Sequence, residues 1–213
     1  MEKYIKLESK RVHDVVLRVI PGHFATPNSH VNYYMDMAAL KSRMTEARSA
    51  ARALGEVYYT THAVDTIVCM DGTEVIGAYL AEELTRVGVM SLNQHKSIYV
   101  LAPEYNMSGQ MIFRNNLQQW IEKKNVLLLL ASATTGTTVA QAVESLKYYG
   151  AEIVGISALF SVATKIAGLP VHALFTPADL PNYSAYNHED CPLCKKGIRV
   201  DALCNGYGYT PIR

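Results

Sequence analysis

The residues best suited to chemistry lie together at Ser132 and Thr134-Thr135-Gly136-Thr137-Thr138, inside NVLLLLASATTGTTVAQAVES. Threonine hydroxyls, one flexible glycine and the free N–H groups of a helix start would converge on a single point. Such donors, with the positive end of the helix dipole behind them, hold a phosphate monoester. A plain packing turn has the same outline, so the turn alone does not decide. The elements that must position it are legible on either side. Asn125–Ala131 is an aliphatic run with the character of a strand buried on both faces. Behind the turn, Val139, Val143 and Leu146 fall at helical spacing, and Gly150 supplies a stop.

The same alternation extends along the chain. Apolar runs of strand length recur at Thr66–Met70, Ser97–Leu101, Glu152–Ser157 and Val171–Phe175. Between them, Met37, Leu40, Met44, Ala47, Ala51 and Leu54 form one helical stripe ended by Gly55. Ile76, Leu80, Leu84 and Val87 form another, ended by Gly88. Strands alternating with helices predict an α/β fold, a doubly wound and mainly parallel sheet. Ligands of such sheets bind at the carboxyl ends of the strands, where the threonine turn would sit. Ala102–Asn116 has no periodicity and reads as a lid or a disordered segment.

At 213 residues the chain can bury a full core as a single domain. Its 20 basic and 19 acidic residues leave a net charge of +1, which supports neither a nucleic-acid partner nor an acidic membrane surface. No apolar run approaches the ~20 residues of a membrane span, and MEKYIKLESKRVHDVV lacks a signal core. The expectation is a cytoplasmic protein. Cys191 and Cys194, with Cys204 downstream and His188 upstream, could supply four ligands to zinc, or be reduced thiols in a turn-rich tail. The spacing does not choose, and no metal ligand is assigned.

VLLLLASATTGTT resembles the phosphoribosyl-binding signature of the type I phosphoribosyltransferases. Near the N-terminus, Gly22-His23-Phe24-Ala25-Thr26-Pro27-Asn28-Ser29-His30 leads into Val31-Asn32-Tyr33-Tyr34-Met35-Asp36. This is similar to the pyrimidine hood of the orotate phosphoribosyltransferase family, and the resemblance covers roughly residues 20–178. It implies a hood over about 1–55, a core over about 56–180 and a tail over about 181–213. It also implies a homodimer of pyrimidine nucleotide metabolism whose mobile loop reaches the neighbouring site. Ser132 and Thr134–Thr138 would hold the 5′-phosphate of a phosphoribosyl or pyrimidine nucleotide ligand. Asp71, Gly72 and Thr73 would form the pyrophosphate loop, and Phe24, His30, Tyr33 and Tyr34 would face the base. Magnesium would be carried by the ligand phosphates rather than by protein carboxylates.

Three family elements are replaced. The acidic pair that grips the ribose falls on Leu130 and Ala131, so two charged hydrogen bonds are lost, roughly 3–6 kcal/mol or about 10²–10⁴ in rate. The Arg-Lys pair that opens the mobile loop is replaced by Leu101-Ala102-Pro103-Glu104, with Arg114 at the far end. Thr73 stands where the family has a lysine, flanked by Asp71 and Glu74. These losses predict a phosphate-binding relative with weak or lost turnover. The alternative is an active pyrimidine phosphoribosyltransferase that uses non-standard residues.

Overall fold

The computed structural model describes residues 4–10, 14–86, 91–94 and 96–212. The aliphatic run becomes the centre of a six-stranded sheet because each of its residues can be covered from one side or the other. The parallel strands are β4 (Thr66–Cys69), β5 (Tyr99–Leu101), β8 (Asn125–Ala133), β9 (Glu152–Ser161) and β11 (Leu169–Phe175), with β10 (Lys165–Ile166) antiparallel at one edge. Their order is β10-β11-β9-β8-β4-β5. The mainly parallel α/β sheet expected from the alternation is therefore present, and all five strand readings fall on strands of this sheet.

Period-two alternation divides β8 between two cores. Leu127, Leu129 and Ala131 join the cluster that holds α2 (Met44–Gly55) and α3 (Glu74–Arg86). Val126, Leu128 and Leu130 join the cluster under α5 (Thr137–Tyr148). Helices thus cover both faces. The stripe from Met37 to Leu54 is broken: α1 (Ala38–Ser42) ends at Arg43, whose extended backbone (φ −86°, ψ 122°) starts α2 afresh. Val87, the last residue of the second stripe, and the stop expected at Gly88 lie outside the described residues.

A second sheet forms over the α2/α3 face from the two ends of the chain. Its strands are β1 (Ile5–Glu8), β2 (Val16–Ala25), β3 (His30–Asp36), β12 (Ala185–Tyr186), β13 (Ala202–Asn205) and β14 (Gly208–Pro211). Val15, Leu17 and Val19 drive into the same cluster as Leu127 and Leu129. The tail expected to be only turn-rich thus adds strands to the N-terminal sheet, β13 pairing parallel with β2 at Phe24 and Ala25. Short helix α6 (Pro192–Lys195) precedes β13.

The segment without periodicity is an ordered hairpin of β6 (Glu104–Tyr105) and β7 (Met111–Ile112), followed by α4 (Asn115–Gln118). A local side-chain device closes it. Asn106 Oδ1 accepts from the N–H of Ser108 at 3.0 Å and of Gln110 at 2.9 Å, around Gly109 at φ 75°.

Candidate functional site

Between the two sheets lies a cavity of about 360 Å³. Its floor is the end of β8, Ala131 and Ser132, continuing into Thr134 and Thr138. Its roof comes from the N-terminal sheet, with Tyr33 and Tyr34, and from the tail, with Asn205 to Tyr207. Helix α1 contributes Lys41, and the end of β4 contributes Asp71.

The threonine turn forms as its composition demands. Gly136 adopts φ 77°, a left-handed conformation that side chains rarely accept, and caps α5. The first N–H groups of α5 have no partner within the helix. Thr135, Thr137 and Thr138 are exposed, Thr134 and Ser132 partly so. Thr135 Oγ1 donates to Thr137 Oγ1 at 3.3 Å. Asn28 Nδ2 donates to Thr138 Oγ1 at 3.2 Å, so the roof touches the turn. Gly136 does not border the open side of the turn. A Cβ there would meet Ile166 of β10 at 3.3 Å, so its need for glycine comes from φ and packing.

Strand alternation gives the replaced acidic pair two different environments. Ala131 lines the cavity, whereas Leu130 points into the apolar core beneath α5. In the loop after β4, Asp71 (φ 57°) and Gly72 (φ 75°) turn the chain, and Asp71 borders the cavity. Thr73 is fully buried and donates to the Met70 carbonyl at 2.8 Å, so its hydroxyl serves the loop rather than a ligand. Burial pushes the Asp71 carboxyl up from its ordinary value, opposed by the Ala131 N–H bond and by Lys41. Tyr34 is pushed up to about 12, first by burial and then by Asp36.

Two of the expected base-facing residues lie elsewhere. Phe24 is 4% exposed within a small core with Ile20, Val31 and Ala202. His30 turns its Nδ1 toward His23 Nε2 at 3.0 Å, behind the roof. Tyr33 and Tyr34 remain at the cavity, and Tyr209 packs on Tyr34 with centroids 4.6 Å apart. Glu104, in the segment that replaces the Arg-Lys pair, holds Arg114 in a forked ion pair at 3.1, 3.1 and 2.6 Å. The cation at the far end of the loop and its carboxylate therefore cancel.

Sequence reasoning missed Lys41. Its Nζ donates to the carbonyls of Asp71 at 2.7 Å and Gly206 at 2.5 Å, and burial lowers its pKa. A lysine in the last turn of a short helix carries no local signal of this placement. Only the joining of α1, the β4 loop and the tail exposes it.

No protein-family model matches the chain. An orotate phosphoribosyltransferase of Wolinella succinogenes is 26% identical over 208 residues, covering 91% of this chain and 95% of that protein. An orotate phosphoribosyltransferase of Desulforamulus reducens is 27% identical over 184 residues, covering 84% of this chain and 86% of that protein. Among solved structures, orotate phosphoribosyltransferase of Mycobacterium tuberculosis H37Rv, in complex with Fe(III) dicitrate, aligns with TM-score 0.53 and 18% identity over 77% of this chain and 92% of that one. The type I phosphoribosyltransferase fold and the resemblance to orotate phosphoribosyltransferases both hold.

Proposed function

We propose, from this relationship and from the cleft, an orotate phosphoribosyltransferase-like protein of pyrimidine nucleotide metabolism. It holds the 5′-phosphate of a phosphoribosyl or pyrimidine nucleotide ligand at Ser132 and Thr134–Thr138. One observation carries the reading: a single cavity joins Tyr33 and Tyr34 to Thr134 and Thr138. It offers aromatic faces at one end and phosphate-suited donors at the other, within the size range of small-ligand sites.

The chemistry of the residues between those ends favours binding over turnover. Ala131 offers the ribose no acceptor, and the loop cation Arg114 is already paired. Asp71 is the one carboxylate among the described residues lining the cavity. That suits a magnesium ion carried on ligand phosphates better than one held by the protein. A second reading, an active pyrimidine phosphoribosyltransferase, is favoured by Lys41. It places a cation at the cleft from a position outside the replaced motifs. Either way the family resemblance supports a cytoplasmic homodimer.

Comparing uridine 5′-monophosphate with uridine tests the reading. The nucleotide should bind and the nucleoside should not. Thr134→Val should weaken only the nucleotide, by roughly 2- to 12-fold for one neutral hydrogen bond. Equal binding of both ligands would remove the phosphate from the account.

A further inference from the structure

Behind the roof of the cleft, four soft or borderline ligand atoms meet where the two ends of the chain join. His23, His30, Cys191 and Cys194 each present one such atom, all within 4.8 Å of one another. His23 Nε2 lies 3.0 Å from His30 Nδ1, 3.5 Å from Cys191 Sγ and 3.7 Å from Cys194 Sγ. Cys194 Sγ lies 3.3 Å from His30 Nδ1. A tetrahedral ion with Zn–N of about 2.0–2.1 Å and Zn–S of about 2.3 Å sets its ligand atoms about 3.4–3.8 Å apart. The four atoms therefore surround a space that one zinc ion would fill with small adjustments.

The surroundings are built for ligation. His23 is 1% exposed, and its Nδ1 lies 3.0 Å from the Ile198 carbonyl and 3.2 Å from that of Arg199. A proton on Nδ1 donated to those carbonyls leaves the Nε2 lone pair aimed into the cluster, the usual outer support of a metal-bound histidine. Cys191 is fully buried. The chain turns sharply after Cys194: the Gly197 N–H donates to the Cys194 carbonyl at 2.9 Å, with Gly197 at φ 72°. The backbone beside His23 is itself stitched to the tail. Its N–H donates to Asp201 Oδ2 at 2.7 Å, and its carbonyl accepts from the Asp201 N–H at 2.7 Å.

The donor set differs from the one suggested by spacing. Cys204 donates instead to the Ala25 carbonyl at 3.4 Å, and the His188 ring lies against His30 with centroids 4.8 Å apart. We infer that His23, His30, Cys191 and Cys194 form a closed structural zinc site. It clamps the tail to the N-terminal sheet and so steadies the Asn205–Tyr207 wall of the cleft. A closed set of two cysteines and two histidines leaves no position for substrate, so the role is structural.

The test is the metal content of the full-length protein, purified without an affinity histidine tag, and its spectrum after exchange into cobalt(II). Roughly one zinc per chain is expected. The cobalt form should show the visible bands of a tetrahedral ion and thiolate charge transfer. Cys204→Ser and His188→Ala should keep the metal, while Cys194→Ser and His30→Ala should lower affinity at least about tenfold. If those two variants fail to fold, the wild-type cobalt spectrum decides. A wild-type protein with neither zinc nor cobalt–thiolate bands, or with a Cys191–Cys194 disulfide in their place, would overturn the inference.

Discussion

Lys41 Nζ donates to the main-chain oxygen of Asp71 at 2.7 Å, joining the helix after the N-terminal sheet to the loop at the end of β4. Both side chains border the cleft, so its one lysine and its one carboxylate among the described residues face the same space. Lys41→Met should leave two carbonyls short of a donor and cost about 1–3 kcal/mol of stability, read by denaturant unfolding. It should also weaken any anionic ligand that the ammonium reaches. Because burial lowers the Lys41 pKa, that contribution fades at a lower pH than the ordinary 10.5 of a free lysine. Between the folded value and 10.5 the unfolded chain holds more protons, so stability attributable to Lys41 rises with pH over that window. Ligand affinity indifferent to this substitution would separate Lys41 from the site.

The two replaced acidic positions should respond differently. Ala131→Asp places a carboxylate at the cleft and should raise any transferase activity by roughly 10- to 150-fold, the value of one charged hydrogen bond. Leu130→Asp puts a carboxylate into the core beneath α5 and should destabilise the fold by several kcal/mol. A well-folded Leu130→Asp variant with raised turnover would contradict this assignment of faces.

Much of this arrangement was legible in the sequence, because local chemistry dictates it. The aliphatic run at Asn125–Ala131 reads as a strand covered on both faces, and the threonine turn behind it as a helix start. The rest depends on contacts between distant segments. Asp201 meets His23 only when the tail has crossed the N-terminal sheet, and neither residue carries a local sign of the other. Lys41 is hidden for the same reason, whereas the pairing of Glu104 with Arg114 is local and waits only on the β6–β7 hairpin that brings them together. The Cys191–Cys194 spacing was visible, but its two histidine neighbours lie at the other end of the chain.

Glycine at position 136 should prove a requirement of the backbone. Gly136→Ala should cost about 1–2 kcal/mol because φ is 77° there, with further cost from Ile166 at 3.3 Å. Any loss of ligand should track that loss of stability across a thermal series. Reduced ligand affinity with an unchanged melting temperature would show that the side chain obstructs the anion directly.

The forked Arg18–Glu46 pair, at 3.0 and 3.1 Å, ties β2 to α2. Its hydrogen bonds hold the Glu46 carboxyl below the usual 4.5, with burial opposing them. The stability it contributes is present above 4.5 and is lost as pH falls through the lower folded value. Glu46→Gln should therefore cost about 1–3 kcal/mol at neutral pH, and the difference from wild type should shrink in acid. A difference constant from neutral pH into strong acid would show that the charge contributes nothing.

The central claim is a cleft that receives a 5′-monophosphate without the means to grip a diphosphate. Calorimetric titration of orotidine 5′-monophosphate and of phosphoribosyl pyrophosphate, each with and without magnesium, tests it most directly. The 5′-phosphate term is common to both ligands, so the comparison isolates the diphosphate. Arg114 is not among the residues lining the cavity and pairs with Glu104, so the diphosphate would meet the Asp71 carboxylate with Lys41 as the one lining cation among the described residues. A like-charge contact near 4 Å costs about 1–4 kcal/mol, or roughly 5- to several-hundred-fold in affinity. The account predicts tighter binding of the monophosphate, with magnesium narrowing the gap. Tighter binding of phosphoribosyl pyrophosphate in the presence of magnesium, or no binding of either ligand, would contradict it.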